Sequence, residues 1–579
     1  MRSVLASAGV SGEARIPVSP LRWLPAVTLL LLLGPVVAGL LGTVFPAFGY
    51  LPALGRATFS LEPWHALFAS PGVAESIRLS FVTGLAVTAV SFAVVILFVA
   101  GWHGTRSFAR VQKLLSPLLS VPHVTVAFGL AFLLAPSGWI FRLTSPWLTG
   151  YDRPPDLIIV QDPDGLALIA GLVVKEIPFL FLMTLAAIGQ VDAARVRTMA
   201  RTLGYGTTAA WLKAVFPLVY RQIRLPVFAV LAFAASVVDV SVVLAPSTPP
   251  PLAVQLVRWF NDPDLALRFV ASAGALVQLG LVVAAIFVWW LGERAVACLG
   301  RLWIRAGSRG RRDLPLRVVA AAALTASFLA AFLGLASMAL WSIAGRWRFP
   351  DPLPSTLSLN AWTANADRLA NATLNTATIG VAAAFVGLVL AVGCLENEAR
   401  FGKRASNRAL WLLYVPLLVP QIAFLFGTQI LLVMSDLDGA WIAVAWAHLV
   451  FVLPYVFLSL ADPYRAWDER YARAALCLGA SPLRVFCRVK LPMLLRPILI
   501  ATAVGFTVSM GQYLPTLFAG AGRLDTLTTE AVSLASGADR RAIGAYALLQ
   551  MILPFIAFGL AAAAPAWLFR NRRGLRVTV

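Results

Sequence analysis

Of 579 residues, 60% are hydrophobic and only 13% charged, with a mean hydropathy of +0.82. A soluble chain of this composition would leave large apolar patches facing water, which excludes a soluble enzyme or binding module and points to an integral membrane protein. The formal net charge of +21 raises nucleic acid as a partner, but the way the charge is distributed removes that reading.

A membrane-spanning helix needs about 20 mostly apolar residues. In the first half of the chain, residues 25–47, 76–100, 115–136, 165–188, 226–246 and 269–291 qualify. In the second half, residues 316–341, 374–395, 410–433, 439–460, 497–517 and 541–569 qualify. The first stretch follows a basic N-terminus, as a signal peptide does. Its apolar run is too long for a signal core and has no obvious Ala-rich cleavage pattern, so it reads as a span. Only the short turn Ser435–Asp438 separates the stretches 410–433 and 439–460. The fold class expected is an all-α integral membrane protein with about twelve transmembrane helices in two parallel six-helix repeats.

With the N-terminus in the cytoplasm, Lys and Arg concentrate in the cytoplasmic segments, such as Arg294–Arg317 and the tail NRRGLRVTV, and the acids lean to the other side. This positive-inside bias sets a multi-pass orientation with both termini cytoplasmic, and it accounts for the net charge without nucleic acid. The four Cys (Cys298, Cys394, Cys477, Cys487) have no framework spacing, and the four His (His65, His103, His123, His448) are scattered. Neither disulfides nor a metal site is expected.

The chain repeats itself. The second spans contain SIRLSFVTGLAVTAVSF (Ser76–Phe92) and ATLNTATIGVAAAFVGL (Ala372–Leu388), which share a small-residue pattern suited to close helix packing. The third spans contain SPLLSVPHVTVAFG (Ser116–Gly129) and VPLLVPQIAFLFG (Val415–Gly427), where Pro122 matches Pro420 and Gly129 matches Gly427. Six is even, so the two units, 1–300 and 301–579, insert in the same orientation about an axis normal to the membrane.

Between the fourth and fifth spans of each unit, at about 192–222 and 465–497, lies a basic segment centred on Leu-Gly. The first contains RVRTMARTLGYGTTAAWLKAVFP (Arg195–Pro217) and the second RYARAALCLGASPLRVFCRVKLP (Arg470–Pro492). Gly204 and Gly479 permit a sharp turn after a helix-favouring run. Ser481 suits a cap with Pro482 in the first helical turn, and Thr207 or Thr208 serves in the first copy. Pro217 and Pro492 are expected to interrupt the helix before the next span. The product is a short cytoplasmic helix presenting apolar side chains, Trp211 and Leu212 or Val485 and Phe486, to a groove on a partner.

The spacing resembles the EAA loop of binding-protein-dependent ABC importer permeases, E-A-A-x3-G-x9-I-x-L-P. The second copy supplies Arg473-Ala474-Ala475, Gly479, Val489 and Leu491-Pro492; the first supplies Thr198-Met199-Ala200, Gly204, Ala214 and Phe216-Pro217. The consensus Glu is replaced by Thr198 and Arg473, which weakens any Glu-mediated contact. The resemblance covers essentially the whole chain as a fused pair of permease units. It is closest to the fused permeases of iron(III), thiamine and related importers, and Ser509–Gly537 is similar to an uncharacterised enteric group.

The resemblance implies a permease of the bacterial cytoplasmic (inner) membrane. It assigns coupling to a cytoplasmic ABC ATPase, in two copies, to Ala200, Leu203, Gly204, Trp211 and Pro217 and to Ala474, Ala475, Gly479, Ser481, Phe486 and Pro492. A periplasmic or lipid-anchored substrate-binding protein is the other expected partner. A basic helix-Gly-helix also mimics a DNA-binding helix-turn-helix, but the flanking spans and short tethers argue against it.

None of the five Lys sits in G-x4-G-K-[ST], so this chain is expected to bind no cofactor, with ATP and Mg held by the partner ATPase. The competing class is a twelve-span secondary transporter driven by an ion gradient. Its basic G-x3-D-R-x-G-R-K loop finds only a partial match in ARFGKR (Ala399–Arg404), with the acid out of register and nothing comparable in the first half.

A charge at mid-bilayer costs about 2.5–3.5 kcal/mol on the insertion scale. Lys175 and Glu176 interrupt the fourth span and Asp239 lies in the fifth. Adjacent helical residues point in different directions, so Lys175 and Glu176 face different neighbours. One reading pairs Lys175 with Asp239 between helices; another has Glu176 or Asp239 line the cargo path as a cation site or gate. Fifth spans line the central pathway in the permeases this chain resembles. Ser509, Gln512 and Tyr513 are therefore further pathway candidates, matched to Ser236 and Asp239 with a two-residue shift. Ordinary interhelical hydrogen bonding is the alternative for them. His448 reads as a packing residue rather than a proton relay. The loop 137–164, with Trp139, Trp147 and four Asp, is expected to contact the binding protein or to anchor at the membrane interface.

Overall fold

The computed structural model describes residues 20–402, 407–537 and 539–571. Residues 1–19, Lys403–Arg404 of the ARFGKR stretch and all but Asn571 of the basic tail lie outside the described residues. The described chain is all-α, with no β-structure beyond two isolated bridges, Leu51 with Arg56 and Ala344 with Leu357. Among the described residues ten helices are long and apolar enough to cross a membrane, and two bent helix pairs bring the number to as many as 12.

The spans of the first half are built on Leu24–Ala47, Val73–Trp102, His123–Leu134, Leu166–Gly189, Thr207–Ser236 and Leu267–Arg305. Those of the second are built on Leu314–Ser342, Ala366–Phe401, Gln421–Met434, Trp441–Arg465, Leu495–Met510 and Arg540–Leu568. Many of their apolar side chains point outward, among them Leu30, Leu41, Val283, Phe287, Phe385 and Leu560. Hydrocarbon is the solvent that suits such a surface.

Three expectations change. The sixth span continues as helix to Arg305, so Arg294, Arg301 and Arg305 sit on a helix rather than on a loop. The third spans are broken rather than continuous over 115–136 and 410–433. Pro122 and Pro420 stand at the N-caps of His123–Leu134 and Gln421–Met434, after the separate helices Arg106–Ser120 and Asn407–Leu418. In the second half the two pieces meet at 89°. A proline lacks the N–H that continues a helix and drives the preceding residue toward extended backbone, as at Val121 with ψ 130°. The third change is that both fifth spans are broken rather than continuous.

The first span of each half packs against the third span of the other half. Gly42 lies on Gly427, where an added Cβ would stand 2.9 Å from the Gly427 Cα. Gly334 lies on Gly129, where an added Cβ would stand 2.9 Å from the Gly129 carbonyl carbon. Only glycine allows backbones so close, and hydrogen bonds reinforce the crossing: the Gly427 N–H donates to Thr43 Oγ1 at 3.2 Å. The halves also repeat one polar contact. Ser80 Oγ accepts from the Leu252 N–H, and Thr376 Oγ1 from the Leu527 N–H, both at 2.9 Å.

Candidate functional site

The two basic segments fold alike. Helix Ala193–Thr202 ends at Gly204, φ +84°, and helix Arg470–Cys477 ends at Gly479, φ +81°. In one, the Gly204 N–H donates to the Arg201 carbonyl and the Tyr205 N–H to the Ala200 carbonyl; in the other, the Gly479 N–H donates to Leu476 and the Ala480 N–H to Ala475. This is the left-handed glycine stop of a helix, which a side chain resists. Each segment rests at the C-terminal end of the second span of its own half: an Arg197 Nη1 donates to the His103 carbonyl, and Lys490 Nζ meets Glu396 Oε2 at 2.7 Å. Burial, with the Arg197 cation adding to it, holds the His103 imidazole below its usual pKa range.

The apolar knobs differ from expectation. Trp211 is 0% exposed and packs inward with Val215 and Val219, and its counterpart Phe486 is half-buried beside a buried Val485. The exposed apolar residues sit at the turn instead: Met199 and Leu203 in the first copy, and Leu476, Leu478 and Leu483 in the second, with Leu478 88% exposed. Ala200 is buried, Ala475 half-buried, and Ala474 exposed. Ser481 caps its helix as expected, accepting from the Arg484 N–H at 3.4 Å. Thr207 and Thr208 do not cap; Gly206 takes the N-cap position, and Asp313 Oδ2 accepts from the Thr208 N–H at 2.8 Å.

Pro217 does not interrupt its helix. A wide π-turn over Trp211–Val215 absorbs it, and the helix runs on to Ser236. The second copy has the same wide turn at Phe486–Lys490 but bends by 73° between Pro482–Met493 and Leu495–Met510. Pro497, where the first copy has Gln222, removes the N–H that would have bonded the Met493 carbonyl.

Only the first segment is covered by the chain joining the halves. The Gly206 N–H donates to the Arg309 carbonyl at 2.8 Å, and Lys213 Nζ donates to the Trp303 and Ser308 carbonyls at 3.1 and 2.7 Å. A Cβ on Gly204 would stand 3.0 Å from Arg309 Nη1, whereas one on Gly479 would meet nothing within 4 Å among the described residues.

Both fifth spans break. Thr207–Ser236 gives way at Val237–Val238 to a short helix Asp239–Leu244, and Leu495–Met510 gives way at Gly511–Tyr513 to Leu514–Gly520. The same spacing separates Gly204 from Gly479, Ala235 from Met510 and Asp239 from Leu514. The halves therefore match without the two-residue shift: Ser236 answers to Gly511, and Gln512 and Tyr513 to Val237 and Val238.

Lys175 makes no salt bridge to Asp239. Its Nζ donates to the Leu118 carbonyl at 2.8 Å, one of those left open where the third span breaks. Glu176, 3% exposed, meets His123 Nε2 at 3.1 Å, and His123 is the first helical residue after that break. The Phe233 ring lies 4.8 Å from the imidazole, and Asp239, 8% exposed, is within electrostatic reach of it. Tyr455 and Tyr513, both of the second half, lie within electrostatic range of Glu176 and Asp239 respectively. Glu176, Asp239 and Tyr513 are thus gathered where the halves meet. Ser509 belongs to a separate cluster, 2.7 Å from His448 Nδ1, while Thr516 Oγ1 lies 2.9 Å from His448 Nε2, so His448 is a satisfied packing residue. Ser236 Oγ donates to the Ala232 carbonyl of its own helix, and Gln512 Nε2 donates to the Val508 carbonyl. Sequence reasoning passed over His123 and Glu396; the Pro-His pair after a helix break was the available signal for the first.

The family model described as binding-protein-dependent transport system inner membrane component matches residues 383–569. Along its length the chain is similar to the inner membrane ABC transporter permease protein YnjC of Escherichia coli K12, 32% identical over 568 residues, covering 96% of this chain and 100% of the relative. The chain belongs to the ABC transporter permease family. It is also similar to the putrescine transport system permease protein PotI of E. coli K12, 29% identical over 34% of this chain and 74% of PotI. Likewise the spermidine/putrescine transport system permease protein PotC of Haemophilus influenzae is 24% identical over 33% of this chain and 74% of PotC. Permeases of that size account for one half here, and YnjC for both, so this permease is a fused pair of units. It is the transmembrane permease subunit of an ABC importer, a multi-pass inner-membrane protein, and the secondary-transporter alternative is not favoured.

Proposed function

We propose that the permease carries its cargo between units 1–300 and 301–579 and is driven through its two Gly-turned segments by a separate cytoplasmic ABC ATPase, one copy per segment. ATP and Mg are bound by that ATPase. A periplasmic or lipid-anchored binding protein delivers the cargo, and the loop 137–164, with its exposed Trp147, offers it a surface. Both termini are cytoplasmic, in keeping with the positive-inside bias.

The observation that carries this reading is the paired construction of the segments. Each has a left-handed glycine stop, an exposed leucine at the turn (Leu203 or Leu478) and a helix running toward a broken fifth span. Movement of the segment is passed along that helix to the break. Glu176 and Asp239, with Ser236, Gln512 and Tyr513, line the path, and the two carboxylates give it a cation-attracting stretch.

Exposed Cys477 in the second segment provides the test. A membrane-impermeant maleimide labels it in inside-out vesicles and not in right-side-out ones, and a copurifying ATPase protects it. Labelling from the outer face, or no copurifying ATPase, defeats the reading.

A further inference from the structure

In the last turn of each fifth span, before its break, stands a carbonyl that its own helix does not satisfy. In both halves a glutamine of the sixth span supplies the donor. Gln278 Nε2 donates to the Ala235 carbonyl at 3.0 Å, and Gln550 Nε2 to the Met510 carbonyl at 3.2 Å. The two glutamines are completely buried and occupy matching stretches, ALVQ at 275–278 and ALLQ at 547–550.

Their surroundings are not matched. Thr125 Oγ1, on the third span of the first half, donates to Gln550 Oε1 at 2.6 Å. Gln550 Nε2 also donates to Thr528 Oγ1 at 2.6 Å, and that hydroxyl donates to the Met510 carbonyl at 2.5 Å. Every side-chain donor in this buried network is used, and the network bridges the halves. In the other half, Pro122 against Pro420 and Leu252 against Leu527 fix the register, so Ala423 and Ala253 stand where Thr125 and Thr528 would be. Neither has a hydroxyl, and Gln278 Oε1 has no partner among the described residues.

We propose that Gln550 is a positioning residue for transport: through Thr125 it pins the second-half break to the opposite half, while the first-half break, whose Gln278 makes no such bond across the halves among the described residues, is the one that moves. Parting Thr125 from Gln550 strands a hydroxyl and an amide oxygen away from water; among the described residues no corresponding bond to Gln278 exists to be broken. Its bearing on transport rests on the reading that the fifth spans line the path. The pinning itself does not.

Backbone hydrogen–deuterium exchange on the full chain in lipid nanodiscs tests it. In the unliganded permease, Thr125→Val raises exchange in the peptide 508–516 by about tenfold and leaves 233–241 unchanged, and Thr125→Ser, which keeps the donor, behaves as wild type. In the wild-type complex with its ATPase, adding a non-hydrolysable ATP analogue changes exchange in 233–241 and not in 508–516. An unchanged 508–516 in Thr125→Val, or a nucleotide response in 508–516 equal to or larger than that in 233–241, overturns the proposal. If no ATPase assembles, the reading under Proposed function falls, while the unliganded comparison still judges the pinning.

Discussion

Lys490 Nζ lies 2.7 Å from Glu396 Oε2, and both side chains are buried. The Tyr464 hydroxyl donates to the same carboxylate at 2.5 Å, and Arg400 Nε to its other oxygen at 2.7 Å. One carboxylate on the second span thus gathers the second Gly-turned segment and the end of the fourth span. No letter at the matching place in the first segment announces such an anchor, because Val215 packs there by apolar contact.

Removing that carboxylate strands an ammonium. Glu396→Ala is expected to destabilise the second half by about 3–5 kcal/mol, the scale for uncovering a buried charge. The double variant Glu396→Leu with Lys490→Met recovers most of the loss. Thermal unfolding of the detergent-solubilised protein decides; a double variant as unstable as the single would show that the pair is not what holds the segment.

At Gly479 the penalty for a side chain is conformational, because a Cβ would meet open space. Holding a β-branched residue at φ +81° costs about 1–2 kcal/mol. Gly479→Val should insert and reach normal membrane levels yet uncouple ATP hydrolysis from uptake, with Gly479→Asn milder. Normal coupled uptake in Gly479→Val would count against the turn as the transmitting element.

Asp313 caps the first segment from the joining chain. Asp313→Ala should loosen that segment alone, by about 1 kcal/mol. Limited trypsin digestion then cuts faster at Arg309, Arg311 and Arg312, all exposed, while maleimide labelling of Cys477 in the second segment keeps its wild-type rate. Equal change at both places would mean the cap acts on the whole bundle.

Lys175 and Glu176 are neighbours in sequence with separable roles. Lys175→Met leaves the Leu118 carbonyl without its donor and is expected to lower stability by about 1–3 kcal/mol. Glu176→Gln keeps a hydrogen-bonding partner for His123 and removes the charge. It should leave the unfolding midpoint near wild type and lower ATP-driven uptake by the reconstituted system. The opposite pattern would make Glu176 the strut and Lys175 the path residue.

Apolar length gave the spans and the duplicated letters gave the two Gly-turned segments, because both signals are local. What escaped depends on distant groups. Trp211 carries no mark of facing inward; that follows from the cluster it meets. Lys175 invited pairing with an acid because carboxylates are visible in a sequence, whereas the Leu118 carbonyl that it serves is written as an ordinary leucine. The Thr208 amide is capped by Asp313, 105 positions away. The break after Ser236 is unremarkable in its letters, and Gln278 and Gln550, polar residues at one place in two apolar helices, were its available trace.

The Gly42–Gly427 crossing bears on how the protein is made. The helix Leu24–Ala47 has its seat on a helix synthesised 384 positions later. Until then its glycine face must wait in lipid, and the N-terminal unit made alone would lack the groove it needs. Assembly therefore closes late and like a clasp, so a gene cut between the units would yield two polypeptides that mature only when inserted side by side.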